Sequence, residues 1–245
     1  MKKGKIIIAN WKMNFLLKNG KQFVKKILIN KKIFKNKLII CPPTSIIYEI
    51  SKQLKNKNIG LGAQDCHFEK FGAFTGNVSP LMLKDIGCKY VILGHSERRI
   101  YHFESNLIIK KKLLNAIEHN LKVILCIGED SKTKKKNKTL DFLAKQIKET
   151  VPTKNLANKI IIAYEPIWSI GSGVTPNIND ISNIHKFIKD KLIKINRFYR
   201  NTKILYGGSV NNKNAKKFLK INEIDGLLVG GASTKLNKLI SILSI

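Results

Sequence analysis

Residues 163–173 hold the strongest candidate for chemistry, a carboxylate at the end of an apolar run. They read Ala-Tyr-Glu-Pro-Ile-Trp-Ser-Ile-Gly-Ser-Gly, and Glu165 follows closely on Ile160–Ile162. The pattern is typical of a strand that ends in an acid and continues into a loop with a stiff start and a glycine-rich end. A carboxylate beside a movable loop can work as a general base shielded from water. Taken alone, the residues also fit a solvated glutamate and an ordinary turn.

Polar residues follow most of the other apolar runs as well. In chain order they are Asn10 and Lys12, Gln64, Gly94–Arg99, Gly128 and Glu129, Gly207–Ser209, and Gly230–Ser233. Single members have structural alternatives, since Lys12 is one lysine of many and His95 also fits a buried core histidine. The two glycine pairs are harder to dismiss, because paired glycines let the backbone N–H groups approach an anion closely. We therefore expect a phosphate ester as the ligand.

The apolar runs that position these residues are short, evenly spaced and free of polar alternation. They cover Ile6–Ala9, Leu38–Cys41, Ile59–Ala63, Tyr90–Leu93, Val123–Ile127, Ile160–Ala163, Lys203–Tyr206 and Gly226–Val229. Such runs are typical of parallel strands buried on both faces. Helical stripes lie between them, as in segment 181–195, where isoleucine and leucine recur at spacings of three and four.

Eight strand-and-helix units predict an α/β fold, a (β/α)₈ barrel of eight parallel strands surrounded by helices. We expect a single domain over residues 1–245. A doubly wound open sheet is the alternative, but its glycine-rich dinucleotide fingerprint is missing after the first run, which ends in Asn10-Trp11-Lys12. In such a barrel, catalytic groups meet where the strands end.

The net charge of +30 is the unusual feature of the composition. It suggests nucleic-acid binding, because phosphate backbones are bound by lysine and arginine. However, only four of the 46 basic residues are arginine, which base readout and bidentate phosphate recognition favour. The lysines are spread along the whole chain together with many Asn and Ile residues, so drift in an A/T-rich genome is the simpler explanation.

Membrane, secretion and metal signals are also missing from the sequence. No apolar run approaches the ~20 residues of a membrane span. The basic start leads into a run that stops at Ala9, which is too short for a signal peptide, so we expect a cytoplasmic protein. The four cysteines have no CxxC or zinc spacing, and we expect reduced structural thiols, no metal and no cofactor. They are Cys41, Cys66, Cys88 and Cys126.

Several of the motifs above occur together, in order and over the full length. They are Asn10-Trp11-Lys12, Gly94–Arg99, Ala163–Pro166, Tyr206–Ser209 and Gly230–Ser233. On these motifs the chain resembles the triosephosphate isomerase family. The resemblance implies a TIM barrel that interconverts dihydroxyacetone phosphate and D-glyceraldehyde 3-phosphate through an enediolate, in glycolysis and gluconeogenesis.

The resemblance also implies a role for each catalytic residue. Glu165 would be the general base that moves the proton. His95, kept neutral by a helix N-terminus, would polarise the carbonyl and donate to the enediolate oxygens. Lys12 would supply positive charge near the phosphate and the developing oxyanion. Asn10 would hydrogen-bond the substrate, and Glu97 would pair with Lys12.

By the same resemblance, a lid at residues 166–175 would close over the ligand. Gly171 would act in this closure, and backbone amides would hold the phosphate at Ser209, Gly230 and Gly231. The second hinge, residues 173–176, is shorter than the family pattern, which predicts altered opening rates. The lid residues are Pro166, Ile167, Trp168, Ser169, Ile170, Gly171, Ser172 and Gly173.

The family resemblance further implies a homodimer. Loop 64–78 would reach into the neighbour, and Thr75 would contact the active-site residues there. Asn77 stands where a glutamate is usual, and Asn106 where an aspartate is common. Fewer carboxylates and the high positive charge predict a dimer that is weakened at low salt.

Two alternative functions stay open on the residues alone. One is another phosphate-binding barrel, such as an indole- or ribulose-phosphate enzyme, which the positions of Lys12, His95 and Glu165 argue against. The other is a basic nucleic-acid-binding protein on a decayed barrel, which an intact catalytic set in a strongly drifted sequence argues against. The expected partners are a small phosphorylated triose and a second copy of the chain, without specific nucleic acid or membrane.

Overall fold

The structure is a computed structural model of the chain, and it describes residues 4–170 and 176–245. Three residues assigned to the lid by sequence, Gly171, Ser172 and Gly173, lie outside the described residues. The shortened hinge lies largely outside them too. Within the described ranges, no helix has the length and apolar character needed to cross a bilayer.

Eight parallel strands close into a barrel in sequence order. They are β1 (Ile6–Asn10), β2 (Lys37–Cys41), β3 (Gly60–Ala63), β4 (Tyr90–Leu93), β5 (Lys122–Ile127), β6 (Ile160–Tyr164), β7 (Lys203–Tyr206) and β8 (Gly226–Val229). The last strand pairs with the first, with Ile6 opposite Gly226, and this pairing closes the ring. The predicted barrel is confirmed, and each predicted strand lies within one residue of its observed position.

Helices follow the strands and cover the outside of the barrel. They are α1 (Leu17–Asn30), α2 (Ile47–Leu54), α3 (Pro80–Asp85), α4 (Ser96–Tyr101), α5 (Asn106–Glu118), α6 (Ser131–Lys135), α7 (Thr139–Thr150), α8 (Ile178–Ile195), α9 (Ala215–Leu219) and α10 (Leu236–Leu243). The stripe predicted over 181–195 lies in α8, where Ile181, Ile188 and Leu192 are buried. Burial of that stripe against the strands holds the helix in place.

The apolar side chains form two layers because successive residues of a strand point to opposite faces. In β1, Ile8 points into the barrel and packs with Ile92 and Leu205, whereas Ile7 points outward to the helices. Both faces of each strand are therefore buried away from solvent, which explains why the apolar runs do not alternate with polar residues.

The four cysteines are buried with free thiols, which agrees with the prediction of reduced structural thiols. Burial raises the pKa of the Cys41, Cys66 and Cys126 thiols, and it raises that of Cys88 to about 12. The protonated thiols behave as small apolar side chains in the core.

Candidate active site

A cavity of about 300 Å³ opens at the carboxyl ends of the strands. Because all eight strands run in one direction, the polar residues at their ends meet on this face. The cavity is lined by seven of the predicted catalytic and binding residues: Asn10, Lys12, His95, Glu165, Ser209, Gly230 and Gly231. Glu97 does not line it but contacts Lys12, and among the described lid residues Ile170 lines it.

Glu165 lies just beyond β6, and only 2% of its surface is exposed. Its backbone N–H donates to the carbonyl of Ile127 at 2.8 Å, so the position after β6 is held by β5. The Oε2 atom accepts the backbone N–H of Ser96 at 3.1 Å, and the Oε1 atom lies 3.2 Å from His95 Nε2. The start of α4 thus holds the carboxylate through Oε2, whereas the buried Oε1 atom lies beside His95 without a hydrogen-bond partner among the described residues.

Gly128, next to the end of β5, allows this placement of the base. A Cβ atom at this position would lie 1.7 Å from the carbonyl oxygen of Glu165. No side chain fits at that distance, so the close approach of the two backbones requires glycine. Gly128 therefore allows Glu165 to take its position and is not needed for ligand binding.

His95 is the N-cap residue of α4, and this role sets the direction of its imidazole ring. The Nδ1 atom accepts the backbone N–H of Glu97 at 3.2 Å. A nitrogen that accepts a hydrogen bond carries no proton, so the neutral ring holds its proton on Nε2. The Nε2 atom lies 3.2 Å from Glu165 Oε1 without a hydrogen bond between them, so its N–H is available as a donor to a ligand in the cavity.

Lys12 stands in a left-handed backbone conformation, with φ of 52°. A residue other than glycine held in this region costs about 1–3 kcal/mol and is often found at functional sites. Two side chains hold it: Asn10 Oδ1 accepts the Lys12 N–H at 3.1 Å, and Gln64 Nε2 donates to the Lys12 carbonyl at 2.9 Å. Asn10 and Gln64 therefore help to aim the lysine into the cavity.

The side chain of Lys12 runs across the cavity floor to Glu97. The Nζ atom lies 2.6 Å from Glu97 Oε1, with 28% and 42% of the two side chains exposed. On its way the Lys12 stem passes Gly230, where a Cβ would lie 3.2 Å from Lys12 Cε. The predicted pairing with Glu97 is thus present in the structure.

The glycine-rich end of the cavity is formed by the loops after β7 and β8. Gly207, Gly208 and Ser209 line one side, and Gly230 and Gly231 line the other. Residues Gly231–Thr234 form a single 3₁₀ turn before α10 begins at Leu236. Backbone N–H groups at such a turn attract an anion.

Sequence reasoning assigned no role to Glu129 or to Ser96. Glu129 is fully buried, its oxygens accept Tyr164 Oη–H at 3.2 Å, and Oε1 accepts Trp168 Nε1–H at 2.8 Å. Burial raises the pKa of the Glu129 carboxyl. Its place directly after Gly128 at a strand end was the available signal. The contact anchors the first residues after Glu165.

Thr75 lies away from the cavity, exposed on the loop between β3 and α3. No group of His, Cys, Asp or Glu residues in the described ranges is arranged to hold a metal ion. The site is therefore built from a buried carboxylate, an oriented imidazole, a lysine and backbone amides. Such a set can move a proton beside a carbonyl and stabilise the oxygen charge that results.

Fold and site together define a (β/α)₈-barrel enzyme that pairs a buried base with a glycine-rich pocket for an anion. A sequence profile described as triosephosphate isomerase matches residues 5–245. This chain belongs to the triosephosphate isomerase family, and it is an isomerase of glycolysis. The predicted isomerase function is confirmed, and the comparisons do not support the nucleic-acid-binding alternative.

Similar proteins agree with this assignment over nearly their whole length. The triosephosphate isomerase of Dictyoglomus turgidum is 44% identical, covering 94% of this chain and 95% of the relative. That of Buchnera aphidicola subsp. Schizaphis graminum is also 44% identical, covering 99% and 98%. The crystal structure of triosephosphate isomerase from Bartonella henselae superimposes with a TM-score of 0.89 at 35% identity over 97% of both chains.

Proposed function

We propose that the protein interconverts dihydroxyacetone phosphate and D-glyceraldehyde 3-phosphate and that Glu165 carries the proton between two neighbouring carbons. The observation that carries this proposal is the buried pair of Glu165 Oε1 and His95 Nε2, 3.2 Å apart at the wall of the cavity. A base and a hydrogen-bond donor that face one small space can act on adjacent atoms of a single substrate.

The proton balance assigns a part to each residue. Glu165 removes a proton from the carbon beside the carbonyl, and the electron pair moves onto the carbonyl oxygen to give an enediolate. The Nε2–H of His95 and the ammonium of Lys12 stabilise that oxygen. Glu165 then returns its proton to the former carbonyl carbon, and the proton of the neighbouring hydroxyl moves to the former carbonyl oxygen, so that the new carbonyl forms on the adjacent carbon. Asn10 lines the same end of the cavity and contributes a polar side chain for the substrate oxygens.

The two oxygens of Glu165 have different contacts. Oε2 accepts the Ser96 N–H, whereas the buried Oε1 atom has no hydrogen-bond partner in the described part of the chain. A substrate carbonyl oxygen placed against His95 can accept the Nε2–H, while Glu165 Oε1 is free to take a proton from the neighbouring carbon. We propose that the reaction starts from this arrangement.

The phosphate group belongs at the glycine-rich end in this proposal. Ser209, Gly230 and Gly231 line the cavity there and would supply their backbone N–H groups, and Gly171 is assigned to the lid over the phosphate. The described start of the lid supports the assignment, since Ile170 lines the cavity and Trp168 is anchored on Glu129. Closure would exclude water while the enediolate exists.

Isomerisation of glyceraldehyde 3-phosphate in a coupled assay tests the proposal. Glu165→Gln keeps the side-chain shape but cannot take up a proton, and we expect kcat to fall by about 10³-fold or more. His95→Gln should lower kcat with little change in KM. Glu118→Gln, an exposed acid on α5, is the control and should behave as the wild type. Full activity of Glu165→Gln would overturn the assignment of the base.

We also propose that the chain works as a homodimer. The loops after β1 and β3 and the end of α4 with the loop that follows it expose large apolar side chains: Met13, Phe71, Phe74, Tyr101 and Phe103. Apolar groups concentrated in neighbouring loops are typical of a protein interface. The exposed Thr75 lies among them, on loop 64–78, and would reach the partner's active site.

Sedimentation of the wild type and Thr75→Arg tests the dimer. The arginine places a bulky charge in the proposed interface, so we expect the dimer to weaken and the activity to fall together. Lys55→Glu, an exposed change away from the loop, serves as the control. A monomeric, fully active wild type would contradict the proposal.

We propose further that residues 1–245 act as a single domain located in the cytoplasm. Membership in a glycolytic enzyme family supports the location, and the one closed barrel supports the single domain. Cell fractionation with activity assays checks the first. A single cooperative unfolding transition of the dimer checks the second, and a resolved second transition would count against it.

A further inference from the structure

A lysine without an assigned role stands at the rim of the glycine-rich end of the cavity. Lys238 lies in the first turn of α10 and lines the same cavity as Asn211 and Gly231. Its side chain is exposed, so the ammonium is free to follow a ligand at the mouth of the cavity.

Among the described residues, none of the ionisable groups around the cavity forms an ion pair with Lys238. The ionisable side chains that line the cavity are Lys12, His95, Glu165 and Lys238. The Lys12 ammonium already lies 2.6 Å from Glu97. Among the described residues, no carboxylate oxygen lies within ion-pair distance of the Lys238 ammonium.

The position of Lys238 is unfavourable for the helix itself. A positive charge in the first turn opposes the helix dipole, and the first turn of α10 contains no acidic residue. An anion in front of this turn would interact favourably with both the helix N-terminus and the lysine. The helix therefore gains nothing from this charge, which is available to a phosphate at Gly230 and Gly231 in the same cavity.

We propose that Lys238 is a substrate-binding residue that contacts the phosphate group from the cavity rim. This inference rests on the proposed function, since it deepens the assignment of the glycine-rich end to the phosphate. The lysine adds a full charge where the backbone supplies only partial charges, and the charge of the phosphate does not change during the proton transfer. It should therefore strengthen binding of substrate and transition state equally, which affects KM rather than kcat.

Steady-state kinetics of Lys238→Gln test the proposal, with Lys235→Gln as the matched control. Lys235 is an exposed lysine that precedes α10 and does not line the cavity, so both variants lose one charge in the same region. We expect KM to rise about fivefold in Lys238→Gln at low salt, with kcat unchanged, and KM to stay near the wild-type value in Lys235→Gln. Lys238→Arg keeps the charge and should restore KM.

Salt dependence gives a second readout. If Lys238 contacts the phosphate, the rise of KM with salt should be shallower in Lys238→Gln than in Lys235→Gln. Equal changes in both variants would show that only the general positive field acts on the substrate, and would overturn the contact. A fall of kcat with unchanged KM would also overturn it.

Binding of inorganic phosphate, followed by calorimetry on the wild type and both variants, separates this inference from the proposed function. Weaker phosphate binding in Lys238→Gln alone supports the contact even if the wild type does not isomerise triose phosphates. Unchanged phosphate binding in an active enzyme overturns the role of Lys238 and leaves the proposed function intact.

Discussion

His95 Nε2 and Glu165 Oε1 lie 3.2 Å apart, and the start of a single helix orients both side chains. The Ser96 N–H donates to Glu165 Oε2, and the next N–H, that of Glu97, donates to His95 Nδ1. Two successive backbone donors of α4 therefore hold the proposed base and the proposed donor in fixed relation. Backbone groups at a helix start are free for this purpose because they have no partner within the helix.

Gly128→Ala should impair both folding and catalysis, because the added Cβ would collide with the Glu165 carbonyl oxygen. The backbones of β5 and β6 have to separate, and we expect a loss of about 1–3 kcal/mol in unfolding free energy. A displacement of the base by ~1 Å can lower kcat by about 10²-fold. Urea unfolding and the coupled assay measure the two effects. Gly231→Ala is the control for stability, since a Cβ there meets no atom within 4 Å.

Glu97→Gln should lower kcat by about tenfold, because the Lys12 ammonium loses its ion-pair partner and is less well oriented. The ion pair at 2.6 Å holds the Lys12 ammonium in one direction, and an amide oxygen holds it less strongly. Glu97→Asp keeps the charge but shortens the reach, and it should fall between the two. Steady-state kinetics of the three forms check this order, and a fully active Glu97→Gln would contradict it.

Trp168→Phe should destabilise the chain by about 1–2 kcal/mol, because buried Glu129 loses the indole N–H as a donor. Phenylalanine keeps an aromatic ring for the Lys134 ammonium, which lies 4.5 Å from the indole centroid. A double-mutant cycle with Glu129→Leu, which has no acceptor oxygen, isolates the hydrogen bond from other effects. Additive losses of unfolding free energy in the double variant would argue that the bond contributes nothing.

The sequence predicted the barrel and most of the site for a physical reason. Strands buried on both faces must be continuous apolar runs, so β1 and β6 could be identified from the single sequence without an alignment. Residues at the strand ends, such as Glu165, then converge because the strands are parallel. Tertiary contacts between backbone and side chain leave no such pattern, which is why the Ser96 donor was missed. The sequence alone did not distinguish Lys238 from the many other lysines, because only its position in the fold sets it apart.

The buried His185 predicts a loss of stability in mild acid. Burial lowers its pKa to about 4, against 6.5 for the free side chain, although Glu223 and Asp225 nearby favour the charged form. Between these values the unfolded chain binds a proton that the folded chain does not, so stability falls as the pH decreases from about 6.5 to 4. The full effect is about 3 kcal/mol.

Denaturation at pH 7.5 and 4.5 measures this effect. His185→Gln does not titrate, so its loss of unfolding free energy between the two pH values should be about 2–3 kcal/mol smaller than in the wild type. His102→Gln, a change at an exposed histidine, should leave the pH dependence of the wild type unchanged. Parallel curves for wild type and His185→Gln would show that other groups cause the acid sensitivity.

Salt should tighten the proposed dimer rather than weaken it. Each copy carries a net charge of +30, so two copies repel one another until ions screen the charges. Arg98 is occupied within its own chain, by Glu104 at 2.6 Å and Asp65 at 3.0 Å, and the exposed Asn77 offers no charge to a partner. Attractive ion pairs that salt would screen are thus scarce beside the proposed interface loop.

Sedimentation equilibrium between about 20 and 300 mM salt measures the dimer dissociation constant, which we expect to fall as the salt rises. Asn77→Glu adds a carboxylate on the interface loop of each copy and removes one positive unit from the net charge. At low salt this variant should therefore form a tighter dimer than the wild type, and its dissociation constant should change less with salt. A dissociation constant that stays level or rises with salt in the wild type would mean that attractive ion pairs, and not the net charge, govern association.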